Sequence, residues 1–65
     1  MIEIYVSGDI CYESYMELNI LHSIMFDSFI SPDTFIELNL SDGCMAYVRK
    51  SSIVSFNSVT TEEGR

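Results

Sequence analysis

Basic residues are scarce in this chain. Its 65 residues include three Lys and Arg residues against ten Asp and Glu residues, which gives a formal net charge of −7. Residues 1–48 contain no Lys or Arg at all, because the three bases are Arg49, Lys50 and Arg65. Direct binding to nucleic acid or to anionic membranes is therefore disfavoured, since both depend on Lys and Arg to neutralise phosphates.

Cysteines are few, and the sequence shows neither an export signal nor a long apolar run. Cys11 and Cys44 are the two cysteines, and no basic segment precedes the first apolar stretch. We therefore expect a cytoplasmic protein whose thiols are both free. No apolar run approaches the ~20 residues that a membrane-spanning helix requires. A chain of this length forms one small domain, and such domains commonly gain stability from disulfides, a metal ion or oligomerisation. With free thiols and no metal motif, oligomerisation is the one that remains.

The longest periodic stretch is Tyr12–Ile30, which contains neither Gly nor Pro. At ~100° per residue, its apolar side chains form one broad arc that suits a sheet-covering helix. The arc contains Tyr12, Tyr15, Leu18, Leu21, Met25, Phe26, Phe29 and Ile30. We predict a helix over about residues 10–30, capped at its start by Asp9 and ended by Pro32. Alternatively, Ser14 caps a shorter helix and Ile10–Tyr12 is the return strand of a hairpin.

Period-2 alternation predicts four strands. Ile2, Ile4 and Val6 form one face of the first, and Ile36, Leu38 and Leu40 form one face of the second. Asp42-Gly43 is a hairpin signal, and a two-residue loop there would pair Leu40 with Met45, Ile36 with Arg49 and Glu37 with Val48. The third and fourth predicted strands are Met45–Lys50 and IVSFNSV.

The predicted fold is thus a small α+β domain, of order β-α-β-β-β, with a mostly antiparallel sheet and the helix packed on one face. The domain spans residues 1–61, and residues 62–65 form a polar tail. If Ile10–Tyr12 is a strand, the sheet has five strands or forms an open barrel.

No catalytic or metal motif is present. His22 falls on the apolar arc, and we expect it to be a hydrogen-bonded core residue. Cys11 is expected to be a small buried hydrophobe. Glu13 and Glu17 lie one helical turn apart, as residues of a solvated face do. We predict neither an enzyme nor a cofactor-binding protein.

Three apolar residues interrupt the polar side of the predicted helix: Met16, Ile20 and Ile24. This second stripe requires a cover, which is either a loop or tail of the same chain or another chain. With Glu13, Glu17 and Asp27 around it, the stripe resembles an interface with an apolar centre and a charged rim. We predict that these six residues bind a basic protein partner and that the protein is a homodimer. The alternative is that the acidic residues only keep a small domain soluble.

The segment from Thr34 to Phe56 combines an alternating strand, Asp-Gly and YVRKSSIVSF. It resembles hairpins of many small bacteriophage and bacterial accessory proteins, although it identifies no family. The resemblance implies an accessory protein, such as an inhibitor, that binds a host component. The alternative is a structural protein whose role is homo-oligomerisation.

Overall fold

The computed structural model describes residues 1–59. The predicted tail and the predicted end of the domain at residue 61 lie outside the described residues. The elements are β1 (Ile2–Val6), β2 (Ile10–Ser14), α1 (Leu18–Met25), β3 (Phe35–Asn39), β4 (Met45–Arg49), a 3₁₀ turn (Lys50–Ser52) and β5 (Ile53–Ser58). The predicted α+β class is confirmed, and the order is β-β-α-β-β-β.

The strands form two antiparallel sheets that meet at a short seam. One sheet has the order β2-β1-β5 and the other pairs β3 with β4. At the seam, Ser14 bridges Leu40, and the Tyr15 N–H donates to the Asn39 carbonyl oxygen at 3.1 Å. The inward faces of both sheets share one core with the helix, and its buried members are Ile2, Ile4, Val6, Leu21, Ile36, Leu38, Val48 and Ile53.

The prediction that the helix begins near residue 10 is wrong, and Ile10–Ser14 is the return strand of a hairpin. Gly8 and Asp9 both have positive φ, 92° and 63°, which reverses the chain into β2. Asp9 therefore cannot cap a helix, because an N-cap residue has extended dihedral angles. Ser14 does not cap one either. Its hydroxyl donates to the Asn39 carbonyl oxygen at 2.8 Å and accepts from the Met16 N–H at 3.0 Å.

The helix has eight residues, and its N-cap is Glu17, whose side chain makes no capping hydrogen bond. The prediction that it continues to Phe29 or Ile30 is also wrong, since it ends at Met25. Leu21 is its one buried residue. The apolar arc therefore covers the core only in part, and several of its members are exposed, as described below.

The β3–β4 pairing differs by one residue from the predicted register. Phe35 lies opposite Arg49 and Ile36 opposite Val48, because the loop has three residues rather than two. The Leu40 N–H donates to the Cys44 carbonyl oxygen at 2.9 Å, and Gly43 occupies the left-handed region at φ 90°. A three-residue loop ending in such a glycine is a common hairpin connection. The predicted inward face is correct, since Ile36 and Leu38 are buried.

A bulge explains the imperfect alternation of the last strand. Ile4 pairs with Phe56 and Val6 with Ile53, so β5 has one residue more than β1 across the same span. Such an insertion allows apolar residues three apart to face the same side. Ile53 is buried and Phe56 packs against the core, whereas Val54, next to the bulge, is exposed.

Candidate protein-binding surface

The loop after the helix presents the most exposed large apolar side chain of the described residues. Phe29 is 97% exposed, and Phe26, which caps the helix, is 73% exposed. A single exposed apolar residue is ordinary, but two bulky aromatics within one short segment form a feature that requires an explanation. We call Phe26 and Phe29 the loop surface; Ile20, which is 50% exposed, is a separate exposed residue of α1.

Hydrogen bonds fix the backbone of this loop. The Phe29 N–H donates to the Asp27 carboxylate at 2.9 Å, and the Ile30 N–H donates to the Asp27 carbonyl oxygen at 3.1 Å. The Asp27 side chain thus forms a local turn that competes with continuation of the helix. As a result, the chain leaves the helix axis and Phe29 points away from the core.

A buried lysine also holds this loop. Lys50, only 9% exposed, donates from Nζ to the carbonyl oxygens of Asp27 and Ile30 at 2.9 and 2.7 Å. Its own N–H donates to the Thr34 carbonyl oxygen at 2.8 Å, and the Ser51 N–H donates to that of Pro32 at 2.9 Å. The 3₁₀ turn therefore anchors both ends of the segment 27–34.

The six predicted partner-binding residues come together only in part. The N-cap residue Glu17 and the helix residues Ile20 and Ile24 lie at i, i+3 and i+7 and so share one flank of α1. Ile20 is exposed, but Ile24 is half-buried and packs against the core.

The other three predicted residues lie off the helix. Met16 lies between β2 and α1 and also packs against the core. Glu13 lies on β2, where its carboxylate accepts from the Ser41 hydroxyl at 3.4 Å. Asp27 is half-buried in the loop. The stripe of Met16, Ile20 and Ile24 is therefore not a continuous exposed face, because the chain's own core covers two of its members.

His22 and Cys11 are exposed, contrary to the predictions that both are buried. His22 lies on the flank of α1 that also carries Phe26, and their ring centres are 4.5 Å apart. Cys11 lies on the exposed side of β2. The prediction for Cys11 failed because it placed the residue on a long helix that the chain does not form there, whereas His22 does lie on α1, of which only Leu21 is buried.

The charge of the surface is strongly asymmetric. Six of the eight acids in the described residues are exposed: Asp9, Glu13, Glu17, Asp33, Glu37 and Asp42. Lys50 is buried, so Arg49 is the one exposed Lys or Arg side chain among residues 1–59. Its guanidinium carbon lies 5.4 Å from the centre of the Phe35 ring. Because the acids lack basic neighbours, the potential at the surface of the described residues is predominantly negative.

Two side chains have raised pKa values because of nearby carboxylates. Tyr5 donates a hydrogen bond of 2.9 Å to Glu3, and this bond, together with the charge of Glu3, raises the pKa of Tyr5 to about 12. Asp42 raises the pKa of the Cys44 thiol by accepting its hydrogen bond and by its negative charge. In both cases the neutral form is favoured, so neither group is an activated nucleophile.

A shallow depression of about 510 Å³ lies beside the seam, lined by Cys11, Tyr12, Glu13, Leu40, Ser41 and Asp42. Both of its carboxylates already accept hydrogen bonds: that of Glu13 from Ser41, and that of Asp42 from the Cys44 N–H at 2.9 Å. Across residues 1–59, no group of three or more His, Cys, Asp and Glu side chains is arranged to hold a metal ion. In the same range, no helix has the length and apolar character needed to cross a membrane.

Sequence reasoning missed the exposure of Phe26 and Phe29, which it assigned to the core. A signal was present in Asp27 and Ser28, since both residue types favour turns over helix interiors. Lys50 was likewise assigned to the end of the strand Met45–Lys50, whereas it is a buried donor to the loop. Comparison with protein-family models, with curated proteins and with solved structures gives no match to this chain.

Proposed function

We propose that this chain is a small, acidic, non-enzymatic protein-binding module of the cytoplasm, which occupies a basic surface of a partner protein. The observation that carries the proposal is Phe29, a side chain that is 97% exposed on a loop fixed by Lys50 and Asp27. An exposed aromatic on a fixed backbone suits an anchor that fills a pocket of a partner.

The energetic argument has two parts. Burying a phenylalanine contributes about 1.5–3 kcal/mol, and here that gain is realised only in a complex. The loop is already ordered by its hydrogen bonds, so association loses little backbone entropy there. Aromatic anchors of this kind often account for most of the binding energy of an interface.

The charge of the partner follows from the charge of the module. Glu17 lies at the start of the helix that carries Ile20, and no Lys or Arg precedes residue 49. Carboxylates around an apolar centre accelerate encounter with a basic surface and disfavour an acidic one. A nucleic-acid-binding surface is one such target. The module would then act as an inhibitor, of the kind found among phage accessory proteins, by competing with phosphate for Lys and Arg.

Affinity capture with matched variants tests this proposal. Immobilised wild type, Phe29→Ala, Glu17→Lys and the control Phe35→Ala are each exposed to an extract of the native cell. Phe35 is also an exposed phenylalanine, but it lies on β3, outside the segment 27–34 that Lys50 and Ser51 hold. We expect wild type and Phe35→Ala to retain a basic protein that is eluted by salt. Phe29→Ala should fail to retain the same protein. A captured set that is identical for wild type and Phe29→Ala contradicts the proposal.

A further inference from the structure

The outer face of the β3–β4 hairpin is a second exposed surface, which we call the hairpin face. On it, Phe35 lies opposite Arg49, Glu37 opposite Tyr47, and Asn39 opposite Met45. All six side chains are exposed, including Phe35 at 59% and Tyr47 at 62%. Aromatic, Met and Arg side chains are the types enriched in protein interfaces.

The charges of this face distinguish it from the rest of the molecule. Arg49 is the one exposed Lys or Arg side chain among the described residues, and Glu37 lies on the same face. Two copies of so acidic a chain repel each other over most of their surfaces. Within residues 1–59, this is the face on which an exposed Arg side chain of one copy can meet a carboxylate of the other, because it carries both Arg49 and Glu37.

The strand register makes this face self-complementary. Phe35, Glu37, Tyr47 and Arg49 occupy the corners of a four-sided patch, with the aromatics on one diagonal and the charges on the other. Its sides are about 6.6 Å along a strand and about 5 Å between strands. Because the sides are similar in length, a two-fold rotation about the aromatic diagonal nearly exchanges Glu37 with Arg49.

A face-to-face dimer about that axis has two symmetric ion pairs. Phe35 stacks on the second Phe35, Tyr47 on the second Tyr47, and each Arg49 meets Glu37 of the other copy. This is the isologous arrangement of a two-fold interface, in which one residue contacts another and the reverse contact also occurs. The strands of the two copies cross steeply, as in orthogonally packed sheets.

We propose that the protein forms a symmetric dimer through the hairpin face, with Glu37 of each copy paired with Arg49 of the other. The proposal goes beyond the binding module described above, because it uses a different surface and a second copy of the chain. It also replaces the predicted dimer contact through the stripe of Met16, Ile20 and Ile24, because Met16 and Ile24 pack against their own core. The face is small, so the dimer belongs to the weak end of protein interfaces.

Sedimentation velocity with charge-reversed variants tests the pairing. Wild type is expected to dimerise with increasing concentration, and Arg49→Glu and Glu37→Arg are each expected to raise the dissociation constant at least about tenfold. Glu37→Arg reduces the net negative charge, so its loss of dimer cannot come from general repulsion. An equimolar mixture of the two variants should recover a heterodimer, because every 37–49 pair between unlike copies then has opposite charges.

The mixture separates pairing between copies from pairing within one copy, since mixing cannot restore an internal contact. Thermal melting confirms that each variant is folded, and Tyr47→Ser, which removes part of the aromatic diagonal without changing charge, should also weaken the dimer. A wild type that stays monomeric at millimolar concentration overturns the proposal. Single variants that dimerise like wild type overturn it, as does a mixture of folded variants that stays monomeric.

Discussion

The ammonium group of Lys50 donates a hydrogen bond of 2.9 Å to the carbonyl oxygen of Asp27, in the loop that follows the helix. Lys50 comes from the turn between β4 and β5, so this contact ties the C-terminal half of the domain to the loop. Lys50 donates a second hydrogen bond, to the carbonyl oxygen of Ile30, so the backbone is held both before and after Phe29. A side chain far along the sequence therefore determines how Phe29 is presented.

Replacement of Lys50 by methionine should destabilise the fold. The variant Lys50→Met keeps the buried stem but removes the donor, which leaves the Asp27 and Ile30 carbonyl groups without their charged partner. We expect a loss of about 2 kcal/mol in the free energy of unfolding, measured with urea. The neighbouring Arg49→Met is the control and should change it by less than about 0.5 kcal/mol, because Arg49 is exposed. Equal effects of the two variants would contradict the role assigned to Lys50.

Removal of the Ser14 hydroxyl should weaken the seam between the sheets. Ser14 is fully buried, and its hydroxyl donates a hydrogen bond to the Asn39 carbonyl oxygen and accepts one from the Met16 N–H. In Ser14→Ala both groups lose a partner, and we expect a loss of about 1–3 kcal/mol in urea unfolding. Ser55→Ala, at an exposed position of β5, should be nearly neutral. A neutral Ser14→Ala would show that the seam does not depend on this hydroxyl.

The reactivity of Cys44 should depend on Asp42. The raised pKa of the Cys44 thiol means that less thiolate is present at a given pH, so its alkylation should become fast only at higher pH than for an ordinary cysteine. Asp42→Asn removes the negative charge, and the rate profile should then shift to lower pH. The measurement is the alkylation rate of Cys44 as a function of pH. Both proteins carry Cys11→Ser, so that Cys44 is the thiol that reacts. An unchanged profile would exclude Asp42 as the cause.

Most of the sheet was predictable because its inward positions are apolar. Ile2 and Ile4 in β1 and Ile36 and Leu38 in β3 alternate as expected, and all four are buried. The second strand was misassigned because its fully buried inward position is Ser14, so the alternation lacks its apolar residue. Its sequence then joined the helical periodicity of the residues that follow.

The candidate surface was less predictable than the fold, because hydrophobicity alone does not tell a core residue from an exposed anchor. Phe29 fits the helical arc as well as Leu21 does, yet one is exposed and the other buried. The difference depends on the local turn that Asp27 forms and on hydrogen bonds from Lys50, which is far along the chain and leaves no local pattern. The β3–β4 register likewise depends on a three-residue loop that Asp-Gly alone does not distinguish from a two-residue one.

The most direct measurement of the proposed function is the dissociation constant of the captured basic partner for wild type, Phe29→Ala and Phe35→Ala, at low and high salt. The chains are kept below the concentration at which copies associate. For Phe29→Ala we expect a dissociation constant about 30-fold higher at either salt concentration, as for the loss of an anchor worth about 2 kcal/mol. Phe29 is exposed, so the thermal stability of the variant should be unchanged.

For wild type, the association rate should fall with salt, because screening weakens attraction between the exposed carboxylates and the basic partner. Phe35→Ala should bind like wild type. If Phe29→Ala binds as tightly as Phe35→Ala, the loop surface is not the binding site. If salt leaves the wild-type association rate unchanged, the carboxylates do not attract the partner.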